Sequence, residues 1–248
     1  MTRYAVYLES GERGLCMAHT PALPGCFVRA ASREEALRRL PDAIRAHHAW
    51  LRRHGEPAPG EADPVEIEVA GEHMGIGPFD PGDATALLPP DRAPLSHAEL
   101  ENLFRLMGHA RADLLALVRD LPDAALDWKP APEAFSIRRV LRHMGNAEEW
   151  YVSRLVPPDT LPPEWEHDAD LPILDFLDLE RRTAIERLAR LTDVELSGVF
   201  TPAHWTDHPD EQWTARKALR RALEHELEHT AQVREILDAW RRALQPSP

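Results

Sequence analysis

Two hydrophobic patterns divide the chain. In the first part, apolar positions alternate in short runs; in the second they recur every three or four residues in four long blocks. Tyr4 to Glu9 alternates, Leu15 to His19 follows a Gly-containing turn, and Cys26 to Ala30 follows the turn at Pro24-Gly25. These runs predict three strands. Ser32 then caps a helix from Arg33 to about His54, with Glu35 at the capping-box position. Val65 to Val69 reads Val-Glu-Ile-Glu-Val, a fourth strand with one wet face. The expectation is a small β-β-β-α-β domain over residues 1–73, then a Pro- and Gly-rich linker or wrapping segment over 74–94.

Residues 95–248 read as four helices. The first runs from Ser96 to about Asp120, opened by a Ser96–Glu99 capping box, with Leu100, Leu103, Phe104, Met107, Leu114 and Val118 as its stripe. The second runs from Ile137 to about Val156 behind the N-cap Ser136. The third, from about Pro172 to Leu191, has no histidine and packs through Ile173, Phe176, Leu177, Ile185 and Leu188. The fourth covers Thr214 to about Leu244, and up to Trp240 it contains neither Gly nor Pro. The connections are long for a bundle, and such loops often rim a site. The last carries His204, Trp205, His208 and Trp213.

The fourth helix's inward stripe is Ala215, Ala218, Ala222, His225, His229, Val233 and Ile236. Residues four apart on a helix stand on one face, roughly 6 Å apart at Cβ, so His225 and His229 can share one metal ion. A third ligand should come from another helix, and His143, inward between Val140 and Ala147, is the candidate. Three imidazoles plus an open position suit a catalytic site of the zinc type. The competing reading of such a pair is a core hydrogen-bond pair or coincidence.

The segment LDWKPAPEAFSIRRVLRHMGNAEEWYVSRL resembles the second helix, with its approach, of the DinB/YfiT-like family, and QWTARKALRRALEHELEHTAQVREIL resembles that family's last helix. The resemblance implies a four-helix bundle whose metal is held by one histidine of the second helix and two of the last, here His143, His225 and His229. It also implies a divalent ion, Zn or Ni, and a small-molecule substrate, with some members acting on a low-molecular-weight thiol and others as hydrolases. YAVYLES and HTPALPGCFVRAASREEALRRLPDAIRAHHAWLRRHGE look like the HicB-like fold, over about Tyr4 to Val69. That likeness implies a recognition or dimerisation module, in many relatives an antitoxin. The strands lack the acidic cluster that metal-dependent RNA cleavage needs. The overall expectation is a multidomain α+β and all-α chain.

The net charge of −13 disfavours binding nucleic acid by bulk electrostatics. Arg38, Arg39, Arg45, Arg52 and Arg53 on one helix read as a solvated face. No apolar run nears the roughly 20 residues of a membrane span, and the N-terminus lacks a signal-peptide core. Cys16 and Cys26 form no CxxC; facing each other on neighbouring strands is one option and a reduced cytosolic pair the other. A cytoplasmic homodimer is expected. His47 and His48 read as surface residues of their helix. Asn146 is placed to orient a water or substrate group, Glu149 and Glu228 to support ligands or to carry surface charge, and Trp150 and Trp213 to line the cavity or the core. Two function classes follow. One is a metal-dependent enzyme that activates a thiol or water for attack on a small electrophile. The other is a non-catalytic, HicB-like partner-binding protein whose metal only stabilises the bundle.

Overall fold

A computed structural model describes residues 2–75, 85–168 and 170–245, without the side chains of residues 166 and 167. A small sheet with one helix comes first and a helical bundle follows. The chain forms two compact units, Met1–Pro94 with Ser197–Arg220, and Leu95–Leu196 with Arg221–Pro248.

In the first unit, β1 (Thr2–Ser10), β2 (Cys16–His19) and β3 (Phe27–Ala30) precede α1 (Arg33–Arg53) and β4 (Val65–Met74). The sheet order is β3-β2-β1-β4. β1–β2 and β2–β3 are antiparallel, while β4 runs parallel to β1 with an irregularity between Val6 and Tyr7. Gly25, at φ 88°, takes a left-handed position in the turn after Pro24 that few other residues would tolerate. Tyr4, Val6, Leu8, Cys16, Ala18, Val28 and Ala30 form one core with Ala36, Leu40 and Ile44 of α1. The Ser32 hydroxyl accepts the Glu35 N–H at 3.2 Å, and the Glu35 carboxylate takes the Ala31 N–H rather than that of Ser32.

The opposite face of β1 and β2 is buried too, at Tyr7, Glu9, Met17 and His19. Glu9 accepts the Ala86 N–H and lies 3.3 Å from His19 Nε2. The other nitrogen of His19 is 3.2 Å from Arg220, whose guanidinium grips both oxygens of Asp91 at 2.9 and 2.7 Å. Arginine can only donate. His19 Nδ1 therefore accepts, and its Nε2–H donates to Glu9. Lys217, fully buried, donates to Thr85 O, Glu211 Oε1 and Gln212 O at 2.7–2.9 Å. Residues 85–94 of the expected linker are thus built into this unit; residues 76–84 lie outside the described ones.

One expectation needs correction here, and one of two options is settled. His47 and His48 are buried, not surface residues. His48 Nε2 meets the Tyr4 hydroxyl at 2.8 Å, and the His47 ring packs on Trp50 with centroids 5.2 Å apart. Cys16 and Cys26 do not face each other, because the register pairs Cys16 with Ala30 and His19 with Phe27, placing the two thiols at opposite ends of the hairpin. Neither forms a disulfide, and both are buried.

The second unit holds α2 (His97–Val118), α3 (Asp123–Leu126), α4 (Ile137–Ser153), α5 (Ile173–Leu188) and most of α7 (Ala215–Ala243); α6 (Asp193–Ser197) ends at its border. The Ser96–Glu99 capping box forms, and the Ser136 hydroxyl accepts the Arg139 N–H. The four long helices share one core: Leu114 and Val118 from α2, Val140, Leu141 and Met144 from α4, Phe176 and Leu177 from α5, and Val233, Ile236 and Leu237 from α7. Helices α4 and α5 approach so closely at Gly145 that a Cβ there would lie 2.1 Å from the Phe176 ring.

Each long helix also contributes one member to a buried ring of charge. Arg111 of α2 bonds Glu148 of α4 at 2.9 Å and Glu226 of α7 at 2.7 Å. Arg181 of α5 donates through Nε to Glu148 at 2.8 Å and through Nη2 to Glu226. Arg111 reaches Leu177 O and Arg181 reaches Met107 O, so the guanidiniums also tie down backbone carbonyls. Burial alone would push the Glu226 carboxyl up, but Arg181 and Arg111 together hold it below the usual carboxylate range.

Candidate metal centre

Two helices build the site. His143 lies on α4, and His225 and His229 stand one turn apart on α7. The structure brings all three together. One nitrogen from each can be chosen so that all lie within 4.8 Å of one another, the single such cluster of His, Cys, Asp and Glu side chains among the described residues. Ring centroids are 4.9 Å apart for His143–His225, 4.8 Å for His143–His229 and 4.3 Å for His225–His229.

The Nε2 atoms of His143 and His225 are 2.9 Å apart. Two imidazole nitrogens at that distance need either a proton on one of them or a cation between their lone pairs. The spacing also suits two ligands that each sit roughly 2.0–2.1 Å from one zinc-type ion. His143 is held below the ordinary histidine range, first by desolvation and then by the neighbouring His229. It therefore presents neutral imidazole at neutral pH, the form that can ligate. The donor set fits a borderline divalent ion.

The cluster is accessible. His143 is exposed, and His225 and His229 are half-buried. A small hollow, open to solvent and with about 10 Å³ of room, enough for a single water, reaches from His225 past Tyr151, Ala147 and Ala222 to Arg111, Glu148 and Glu226 of the charge ring. The Tyr151 ring stands edge-on to His225, centroids 5.9 Å apart. On the other side, His229 Nδ1 lies 2.7 Å from Gln232 Oε1.

The remaining candidates fall elsewhere. Asn146 is exposed on α4, and Glu228 is half-buried on α7. Glu149 is half-buried, and desolvation followed by repulsion from Asp168 raises its pKa, so it belongs with the acids beside α5. Trp150 packs along its own helix, 5.2 Å from the Tyr151 ring and 4.5 Å from the Arg154 guanidinium. Trp213 belongs to the first unit, where Lys217 Nζ sits 4.0 Å from its ring centre. The segment with His204 and His208 groups with that unit as well. The charge ring and Gln232 were not read from sequence. Only the placement of Gln232 three residues after His229, one helical turn on, could have marked it.

A bundle with three histidines gathered between two of its helices defines a recognisable class. The DinB superfamily model matches residues 107–233, just over half of the chain, and the match takes in all three histidines. A 57-residue stretch is 39% identical to UPF0150 protein Ta0767 of Thermoplasma acidophilum, covering 23% of this chain and 83% of that protein. The chain therefore belongs to the DinB superfamily and carries in addition a segment of the UPF0150 family. Among solved structures it is similar to TT2238, a four-helix bundle protein, at 20% identity over 55% of this chain and 98% of that one, with a TM-score of 0.40. It is also similar to YfiT from Bacillus subtilis, a probable metal-dependent hydrolase with an unusual four-helix bundle topology. There the identity is 19% over 68% of this chain and 97% of that one, with a TM-score of 0.45. No helix among the described residues is long and apolar enough to cross a membrane.

Proposed function

We propose that this protein is a metal-dependent enzyme of the DinB class in which His143, His225 and His229 hold one divalent ion, Zn or Ni by ligand chemistry. The convergence of the three rings, with two Nε2 atoms 2.9 Å apart, carries the reading. A bound ion of this kind supplies Lewis acidity, lowering the pKa of a water or thiol beside it towards neutrality. The reaction class is then attack by that water or thiol on a small electrophile.

The chain's own residues set the conditions. His143, from the solvent side, and the half-buried His225 and His229 leave the centre open rather than enclosing it. The small hollow beside His225, lined by Ala147, Ala222 and Tyr151 next to the charge ring, has room for a water molecule beside the centre. The β-β-β-α-β order supports a HicB-like, partner-recognising role for the N-terminal module, without a reaction of its own.

The test is metal content by elemental analysis on protein purified without added metal or a His tag, beside a His225→Ala variant. About one Zn or Ni per chain is expected, falling below a tenth of that in the variant. Protein that takes up no metal even on reconstitution would overturn the proposal.

A further inference from the structure

His229 has two ring nitrogens, and which one carries the proton decides whether it can serve a metal. Its Nδ1 lies 2.7 Å from Gln232 Oε1, a carbonyl oxygen that can only accept. The proton must therefore sit on Nδ1, and the lone pair is left on Nε2. Gln232 is half-buried one turn further along α7, and Val233 beside it is fully buried in the core, so the backbone carrying the amide is fixed. A neutral imidazole in water prefers the opposite tautomer by only a small margin, so a single hydrogen bond is enough to choose the form.

We infer that Gln232 is a positioning residue: by accepting the Nδ1–H it fixes the tautomer and ring orientation of His229 and so prepares Nε2 as a metal ligand. This rests on the three-histidine reading for its purpose, though not for the hydrogen bond itself. Partners of this kind typically change metal affinity 10–100-fold when removed. Gln232→Leu should lose the acceptor at nearly constant volume. Gln232→Glu, an acceptor-only carboxylate, should keep it.

The first measurement needs no metal. Long-range ¹H–¹⁵N NMR on the apo protein reads the tautomer of His229 directly. The Nδ1–H form is expected in the wild type and in Gln232→Glu, and a mixture or the Nε2–H form in Gln232→Leu. The second is Co²⁺ and Zn²⁺ affinity by chelator competition. Gln232→Leu should bind about 10–100-fold more weakly, Gln232→Glu as well as the wild type or better, and all three apo proteins should melt within a degree or two of one another. An Nε2–H His229 in the wild type overturns the inference, and so does a Gln232→Glu variant as weak as Gln232→Leu. A wild type with the Nδ1–H form that binds no metal refutes the three-histidine reading and leaves the tautomer assignment standing.

Discussion

His47 illustrates how burial governs a single side chain. Its ring packs on Trp50, and its Nε2 is buried without a hydrogen-bond partner. Desolvation, then the neighbouring His48, pull its pKa down to about 4, against a backbone hydrogen bond at Pro24 that acts the other way. In the unfolded chain the ring titrates near the ordinary histidine value of 6.5. Between pH 4 and 6.5 the unfolded chain therefore binds more protons than the native one, and unfolding free energy rises with pH. The stability is fully present above about 6.5 and is lost as pH falls towards 4, a swing of about 3 kcal/mol. His47→Leu should flatten this slope: the gap between urea midpoints at pH 7 and pH 4.5 should narrow relative to wild type. An unchanged gap would mean that His47 is not the group that titrates. The sequence could not foretell this. His47 and His48 follow charged Arg45 on an Arg-rich helix, and their local pattern reads as wet. The partners that meet them come from far off in sequence, Tyr4 for His48 and the backbone at Pro24 for His47.

At the scale of elements, two glycines in the bundle make opposite predictions. Gly145 faces Phe176 with no room for a Cβ, whereas Gly108, mid-helix in α2 and exposed, meets nothing within 4 Å. Gly145→Ala should destabilise by about 1–3 kcal/mol through overpacking. Gly108→Ala should stabilise by about 0.5–1 kcal/mol through helix propensity. Chemical denaturation of both variants checks the pair, and equal effects would refute the close α4–α5 approach. Glycine in sequence shows neither outcome, because the difference is what lies across from it. The helices themselves were legible: Ser96, Ser136 and the apolar stripes place the starts of α2 and α4 within a residue. Strand β4 was underestimated. Its alternation stops at Val69, while pairing with β1 carries it on through Gly71 to Met74. The histidine trio was legible because two members share a helical face and the third, His143, stands on a patterned helix between Val140 and Ala147; the resemblance implied the same three. Arg111, Glu148, Arg181 and Glu226 gave no such signal, since charges from four helices pair only after the bundle closes.

For the whole molecule, the question is whether the metal would hold the bundle together or only equip it. Small metallo-domains that lack a core fold only with their ion. The second unit differs, because its four long helices bury a common apolar core. The charge ring adds cross-links that would be costly to break singly, since removing one partner strands a buried charge at about 3–5 kcal/mol. Chelation should therefore leave helical circular dichroism at 25 °C unchanged. The melting temperature should fall only by the linkage amount, about 3–4 kcal/mol of stability where free metal had exceeded Kd by 100- to 1,000-fold. Because linkage follows mass action, that fall should also shrink steadily as free metal is lowered. Loss of helix on chelation at 25 °C would reverse the assignment, making the three histidines a structural clasp and the non-catalytic reading the better one. Retained helix with a metal-dependent melting temperature would show an ion bound to a scaffold that stands without it.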